Sequence, residues 1–164
     1  MKIIQTAILT SDQKQTLFEL WNSEYPKKIV YNGISEFDFY LDGLSETKHF
    51  LIVDNQKAIQ GWAFTFVREK EDWFGIIVNS KIQGKGFGTL LLNELKKDNS
   101  VLSGWATDHN NDVKKNNEPY LSPLEFYTKN GFVVQQNTRI ENEKISAVKI
   151  RWVRELTDNT IFAT

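Results

Sequence analysis

The sequence contains no cysteine. That excludes disulfides, thiolate metal sites and a cysteine nucleophile together. Histidine is nearly absent as well: His49 and His109 are the only two, too few for a histidine-built metal cluster. Neither sign of charge is in excess, since 20 Lys and Arg face 21 Asp and Glu for a formal net charge of −1. A nucleic-acid partner would call for a basic face, and the composition supplies none in bulk. No stretch approaches the ~18–20 apolar residues of a membrane span. The opening "MKIIQTAILTSDQ" turns polar before it builds the apolar core of a signal peptide. The expectation is a cytoplasmic protein that partners neither membrane nor nucleic acid.

What is present fits one domain with a real core. The chain has 164 residues, 40% hydrophobic and 25% charged. Eleven Phe, five Trp and five Tyr point to a bulky core. "KIIQTAIL" reads as a strand, with Thr10 or Ser11 capping the helix "SDQKQTLFELWN", which Pro26 ends. "SEFDFYLDGL" is a second helix with Phe37, Tyr40 and Leu41 on one face. Three strands follow: "HFLIVDN", "AIQGWAFTFVRE" with Trp62, Phe64 and Phe66 on one face, and "DWFGIIVN". Their short connections imply an antiparallel meander. "TLLLNELKK" is helical, "SVLSGWAT" a fifth strand, and Asp108–Leu121 a long polar loop. "SPLEFYTKNG" is a short helix, with Ser122 as cap, Pro123 in the first turn and Glu125 completing a capping box. "FVVQQNTRI" and "ISAVKIRWV" form a closing hairpin, and residues 155–164 read as a tail. No repeat or linker breaks the chain, so it reads as a single α+β domain.

One stretch is out of keeping with the rest. In "VNSKIQGKGFGTLLLNEL", Gly84, Gly86 and Gly88 alternate between an apolar strand and an apolar-periodic helix. Glycine is costly inside regular structure. Bare backbone at a helix N-terminus suits phosphate oxygens. A tight turn needs one such glycine, not three. The P-loop pattern fails, because Gly86 stands where a hydroxyl residue should follow Lys85. The dinucleotide pattern fails too, because Thr89 or Leu91 stands where its last glycine belongs.

What remains is Gln83-x-x-Gly86-x-Gly88. It resembles the phosphate loop of the GNAT superfamily of acyl-CoA N-acyltransferases. "IIVNSKIQGKGFGTLLL" is similar to that family's strand, loop and helix, and "LEFYTKNGF" to its later segment. The order of elements agrees over nearly the whole chain. There are two departures. Ser80 stands where proline is frequent. Tyr120 stands, on an unusually long loop, where many members carry an asparagine that touches the cofactor.

The resemblance implies a three-layer α/β/α fold, with about four helices and a mixed, mostly antiparallel sheet of about seven strands splayed between strands four and five. It implies an N-acetyltransferase with acetyl-CoA as co-substrate and no metal. The pyrophosphate would rest on Gln83, Gly84, Lys85, Gly86, Phe87, Gly88 and Thr89. The pantetheine would pair with Ile76, Ile77 and Val78, the last polarising the thioester carbonyl. Tyr127 would be the acid that protonates the leaving thiolate. Asp72, on the same strand face as Val78, would be the base, with Glu69, Glu71 and His109 as rivals. The acceptor would be a small-molecule amine or an exposed protein amine, shaped by Tyr25–Leu44 and the Asp108–Leu121 loop. Asp72, Asp108, Asp112 and Glu118 would favour a cationic one. A homodimer is compatible with this reading. An idle acyl-CoA-binding module would need the same phosphate loop, so the loop does not separate the two functions.

Overall fold

The computed structural model describes residues 1–155, so nearly all of the expected tail lies outside the described residues. The chain runs β1 (Lys2–Thr6), α1 (Ser11–Glu24), α2 (Ile34–Asp42), β2 (Ser45–Val53), β3 (Ile59–Arg68), β4 (Glu71–Val78) and α3 (Phe87–Asp98). It continues β5 (Val101–Ala106), β6 (Asp112–Val113), β7 (Pro119–Tyr120), α4 (Leu124–Lys129), β8 (Val133–Glu141) and β9 (Ser146–Val153). The main sheet has seven strands in the order β1-β2-β3-β4-β5-β9-β8. Every pairing in it is antiparallel except β4 with β5, as expected of a mixed sheet.

Side-chain alternation sorts the core into two layers. On one face Trp62, Phe64 and Phe66 of β3 and Trp73 and Ile77 of β4 pack against Leu17, Trp21 and Phe37 of α1 and α2. On the other, Phe50, Ala63 and Phe74 meet Leu91, Leu92 and Leu95 of α3, together with Tyr127, Phe132 and Ile150. The three leucines of α3 are fully buried, which fixes that helix and the loop leading into it. The start of α1 is equally well defined. Thr10 accepts from the Gln13 N–H at 3.1 Å, and the Gln13 side chain accepts from the Thr10 N–H at 2.9 Å. Among the described residues no helix is long and apolar enough to cross a membrane.

Two local expectations change. The Asp108–Leu121 segment is not simply a loop. It holds the β6–β7 hairpin, turned at Lys114–Glu118 with Asn117 in a left-handed conformation at φ 69°. Its strands are only two residues long, too short for any alternation to betray them. The α4 capping box does not form either. Ser122 accepts from the Leu124 N–H at 3.2 Å and donates to the Thr107 carbonyl, while Glu125 pairs instead with Lys129 at 3.1 Å. Ser122 thus tethers both ends of the segment that carries the hairpin.

Candidate active site

β4 and β5 share a single register pair, Trp73↔Ser103. Beyond it they diverge, and the β5-facing edge of β4 is left open. The backbone polar groups of Ile76 and Val78 point into that gap. The Tyr25 hydroxyl donates to the Ile76 carbonyl at 3.5 Å, and the Gln83 side chain to the Val78 carbonyl at 2.8 Å. Asn79, by contrast, turns its N–H to the Gln60 carbonyl of β3. In a strand the N–H and C=O of one residue share a side, so the Ile76 and Val78 N–H groups also face the gap. Ile77 alternates with them, so its backbone turns to β3 opposite Trp62, and its side chain lies in the core.

The glycine loop follows a short turn at Ser80–Ile82 and runs into α3, whose N-cap is Gly86. Two physical reasons account for its glycines. Gly84 and Gly86 sit at φ 75° and 89°, where other residues are strained, and a methyl group on either would point into open space. Gly88 has no such dihedral. A Cβ there would lie 2.9 Å from the Phe126 ring, so Gly88 lets α4 pack against the start of α3.

These parts line one cleft of about 600 Å³. Of the expected site residues, the cleft gathers Ile76, Val78, Gln83, Gly84, Gly86, Gly88, Thr89 and Tyr127. Four others do not line it. Ile77 is in the core, and Phe87 packs on the α3 side of the sheet beside Ile3 and Ile52. Lys85 is exposed and absent from the lining. Asp72 stands at the far end of β4, six residues of strand or roughly 20 Å from Val78. It shares the strand face of Val78 but lies at the other end of the strand. Of the rival bases, Glu71 is held by Lys149 at 3.0 Å and Ser103 at 3.2 Å, an arrangement in which the Lys149 hydrogen bond keeps its carboxyl below the ordinary range. Neither Glu69 nor His109 lines the cleft.

Tyr127 is 7% exposed, its ring held by Phe74, Phe126 and Phe132 at centroid distances of 5.7, 5.2 and 5.5 Å. Burial, and then the neighbouring Tyr120, push its phenol well above the usual tyrosine range. It therefore stays protonated throughout the neutral range. Tyr120 lines the same cleft, and burial raises it to about 12.

Glu24, at the end of α1, is the residue that sequence reasoning missed. It is 7% exposed and lines the cleft. One carboxylate oxygen accepts from the Ser80 N–H at 2.7 Å, and the other lies 3.1 Å from the Lys114 ammonium of the hairpin. A polar residue at a helix end carries no signal of its own. Only the "SEYP" stop after an amphipathic helix marked where that end would fall.

A family model for the acetyltransferase (GNAT) domain matches residues 46–134, from the start of β2 into β8. The chain belongs to the GNAT acetyltransferase family. The match spans the open strand, the glycine loop and α4. No curated protein sequence matches the chain. Solved structures match over almost its full length at low identity, and so report the fold. An aminoglycoside 6'-N-acetyltransferase complexed with coenzyme A aligns at TM-score 0.72 and 16% identity, covering 96% of this chain and 99% of that one. A phosphinothricin acetyltransferase from Sinorhizobium meliloti, in complex with AcCoA, aligns at 0.65 and 11%, covering 98% and 92%. A spermidine N-acetyltransferase variant from Vibrio cholerae aligns at 0.62 and 16%, covering 93% and 95%.

Proposed function

We propose that this GNAT protein transfers an acetyl group from acetyl-CoA to a primary amine, by direct attack with both substrates bound. The observation that carries this reading is the convergence in one cleft of an unpaired strand edge, a glycine loop at a helix N-terminus and a buried, protonated tyrosine. The strand edge suits the pantetheine amides, which would pair with Ile76 and Val78 as an added strand. The loop and Thr89 suit the pyrophosphate.

The amine nitrogen attacks the thioester carbon, with the Val78 N–H donating to the carbonyl oxygen as charge builds there. The C–S bond breaks and its electron pair goes to sulfur. Tyr127 donates a proton to that sulfur, and water returns one to the phenol. A model thiol titrates near ~8.5, so a proton supplied at the leaving step avoids releasing a bare thiolate inside the cleft. Because Asp72 stands away from the cleft, the attacking amine's proton passes to water, and Asp72→Asn is expected to leave the rate within about twofold.

The deciding experiment is thiol release from acetyl-CoA with an amine panel, comparing wild type with Tyr127→Phe. The variant is expected to lose roughly a hundredfold in kcat with its acetyl-CoA affinity unchanged. Tight acetyl-CoA binding without turnover of any amine would point instead to an idle acyl-CoA-binding module. An unchanged kcat would remove Tyr127 from the mechanism.

A further inference from the structure

We propose that the acceptor is a monoamine with an uncharged, largely apolar body, and that Lys114 on the β6–β7 hairpin sets this selectivity. The inference rests on the acetyltransferase reading and narrows its substrate class. Only two charged residues line the cleft among the described residues, Glu24 and Lys114. They are paired with each other at 3.1 Å, with side chains 7% and 14% exposed. A second ammonium on an acceptor would therefore find no free carboxylate, and a carboxylate on it would find no free ammonium. Either charge would be desolvated without compensation, which is strongly unfavourable.

Of the four acids expected to favour a cationic acceptor, Asp72 and Glu118 do not line the cleft, and Asp108 and Asp112 are paired elsewhere. Asp108 is held by Arg139 through two contacts of 2.6 and 3.1 Å. Asp112 faces Lys28 at 3.7 Å and His109 at 3.9 Å. Neither lines the cleft. The rest of the hairpin side of the cleft is Pro119, Tyr120 and Leu121, which offers apolar surface and one phenol.

The hairpin is docked firmly enough to hold Lys114 in place. The residue forms a backbone bridge with Pro26, just beyond α1, and Tyr120 packs edge-on against Tyr25 at 6.5 Å. Lys114 thus acts as a built-in counter-ion for Glu24. Removing it would expose a buried carboxylate to whatever enters the cleft.

The test compares benzylamine, p-xylylenediamine and phenylglycine, which differ by one added charge on a common ring. Their binding to the CoA-saturated protein is measured by calorimetry for wild type, Lys114→Met and the double variant Lys114→Met/Glu24→Gln. Wild type is expected to bind benzylamine at least tenfold more tightly than the other two. Lys114→Met should shift the diamine-to-monoamine ratio at least tenfold toward the diamine. The double variant, which carries no charge at either position, should return to wild-type order and also controls for instability of the single variant. A wild type that binds acetyl-CoA normally but favours the diamine or phenylglycine overturns this inference alone. So does a ratio unmoved by Lys114→Met. Failure of wild type to bind acetyl-CoA overturns the acetyltransferase reading and this inference with it.

Discussion

At the scale of single residues, burial decides what each polar group can do. Tyr127 is kept protonated by its aromatic surroundings, so no alkaline fall in rate below about pH 10 is expected from it. His49 shows the opposite effect. It is 4% exposed, accepts from the Trp62 indole at 3.1 Å, and burial lowers its pKa from 6.5 to about 4. The unfolded chain therefore binds this proton more readily than the folded one. The stability that neutral His49 confers is complete above about pH 6.5 and is lost as pH falls through 4. The loss is on the order of 3 kcal/mol. Urea melts at pH 7 and pH 4 should show it in wild type and not in His49→Gln. In the glycine loop, Gly86→Glu forces a side chain into a left-handed position and directs charge into the space left for phosphate. It should cost about 1–2 kcal/mol and abolish the rise in Tm that acetyl-CoA gives wild type. A variant that folds and keeps that rise would mean the cofactor does not use this loop.

At the scale of elements, the hairpin depends on its tethers. Arg139 of β8 holds Asp108, Glu141 and Ser146 together at the foot of the segment that carries β6 and β7. Exposed ion pairs add little to global stability, so Arg139→Ala should change it by no more than about 1 kcal/mol. Its effect should fall on the acceptor, as a several-fold rise in the amine KM with acetyl-CoA affinity unchanged in steady-state kinetics. This element also marks where sequence reading stopped. The meander and α3 were legible because apolar residues repeat with a fixed period over many positions, and the glycine loop because three glycines alternate between them. β6 and β7 are too short for any period. The partnership of Glu24 with Lys114 spans ninety residues and leaves no local trace. The position of Asp72 was hidden for a related reason, since strand parity records which face a residue occupies and says nothing of its distance along the strand.

At the scale of the whole molecule, the sheet is two antiparallel blocks that meet at one register pair. β1 to β4 come from the first half of the chain, and β5, β9 and β8 from the second. Their ladders meet at the register pair Trp73 with Ser103, where Glu71 also accepts from Ser103 and Lys149 and Trp73 packs on Trp105 at 5.4 Å. α3 packs on the first block, against β2, β3 and β4. Each block is thus contiguous in sequence and largely closed on its own hydrogen bonds. A break between Asn99 and Ser100 would cut no strand and no helix. Two polypeptides ending and beginning there should reassemble when co-expressed, and a cofactor threaded along the open edge should tighten their association. Fragment complementation measured with and without acetyl-CoA would show it. A gene for this protein could then be split into a ligand-sensitive reporter at a point that the sheet itself has already marked.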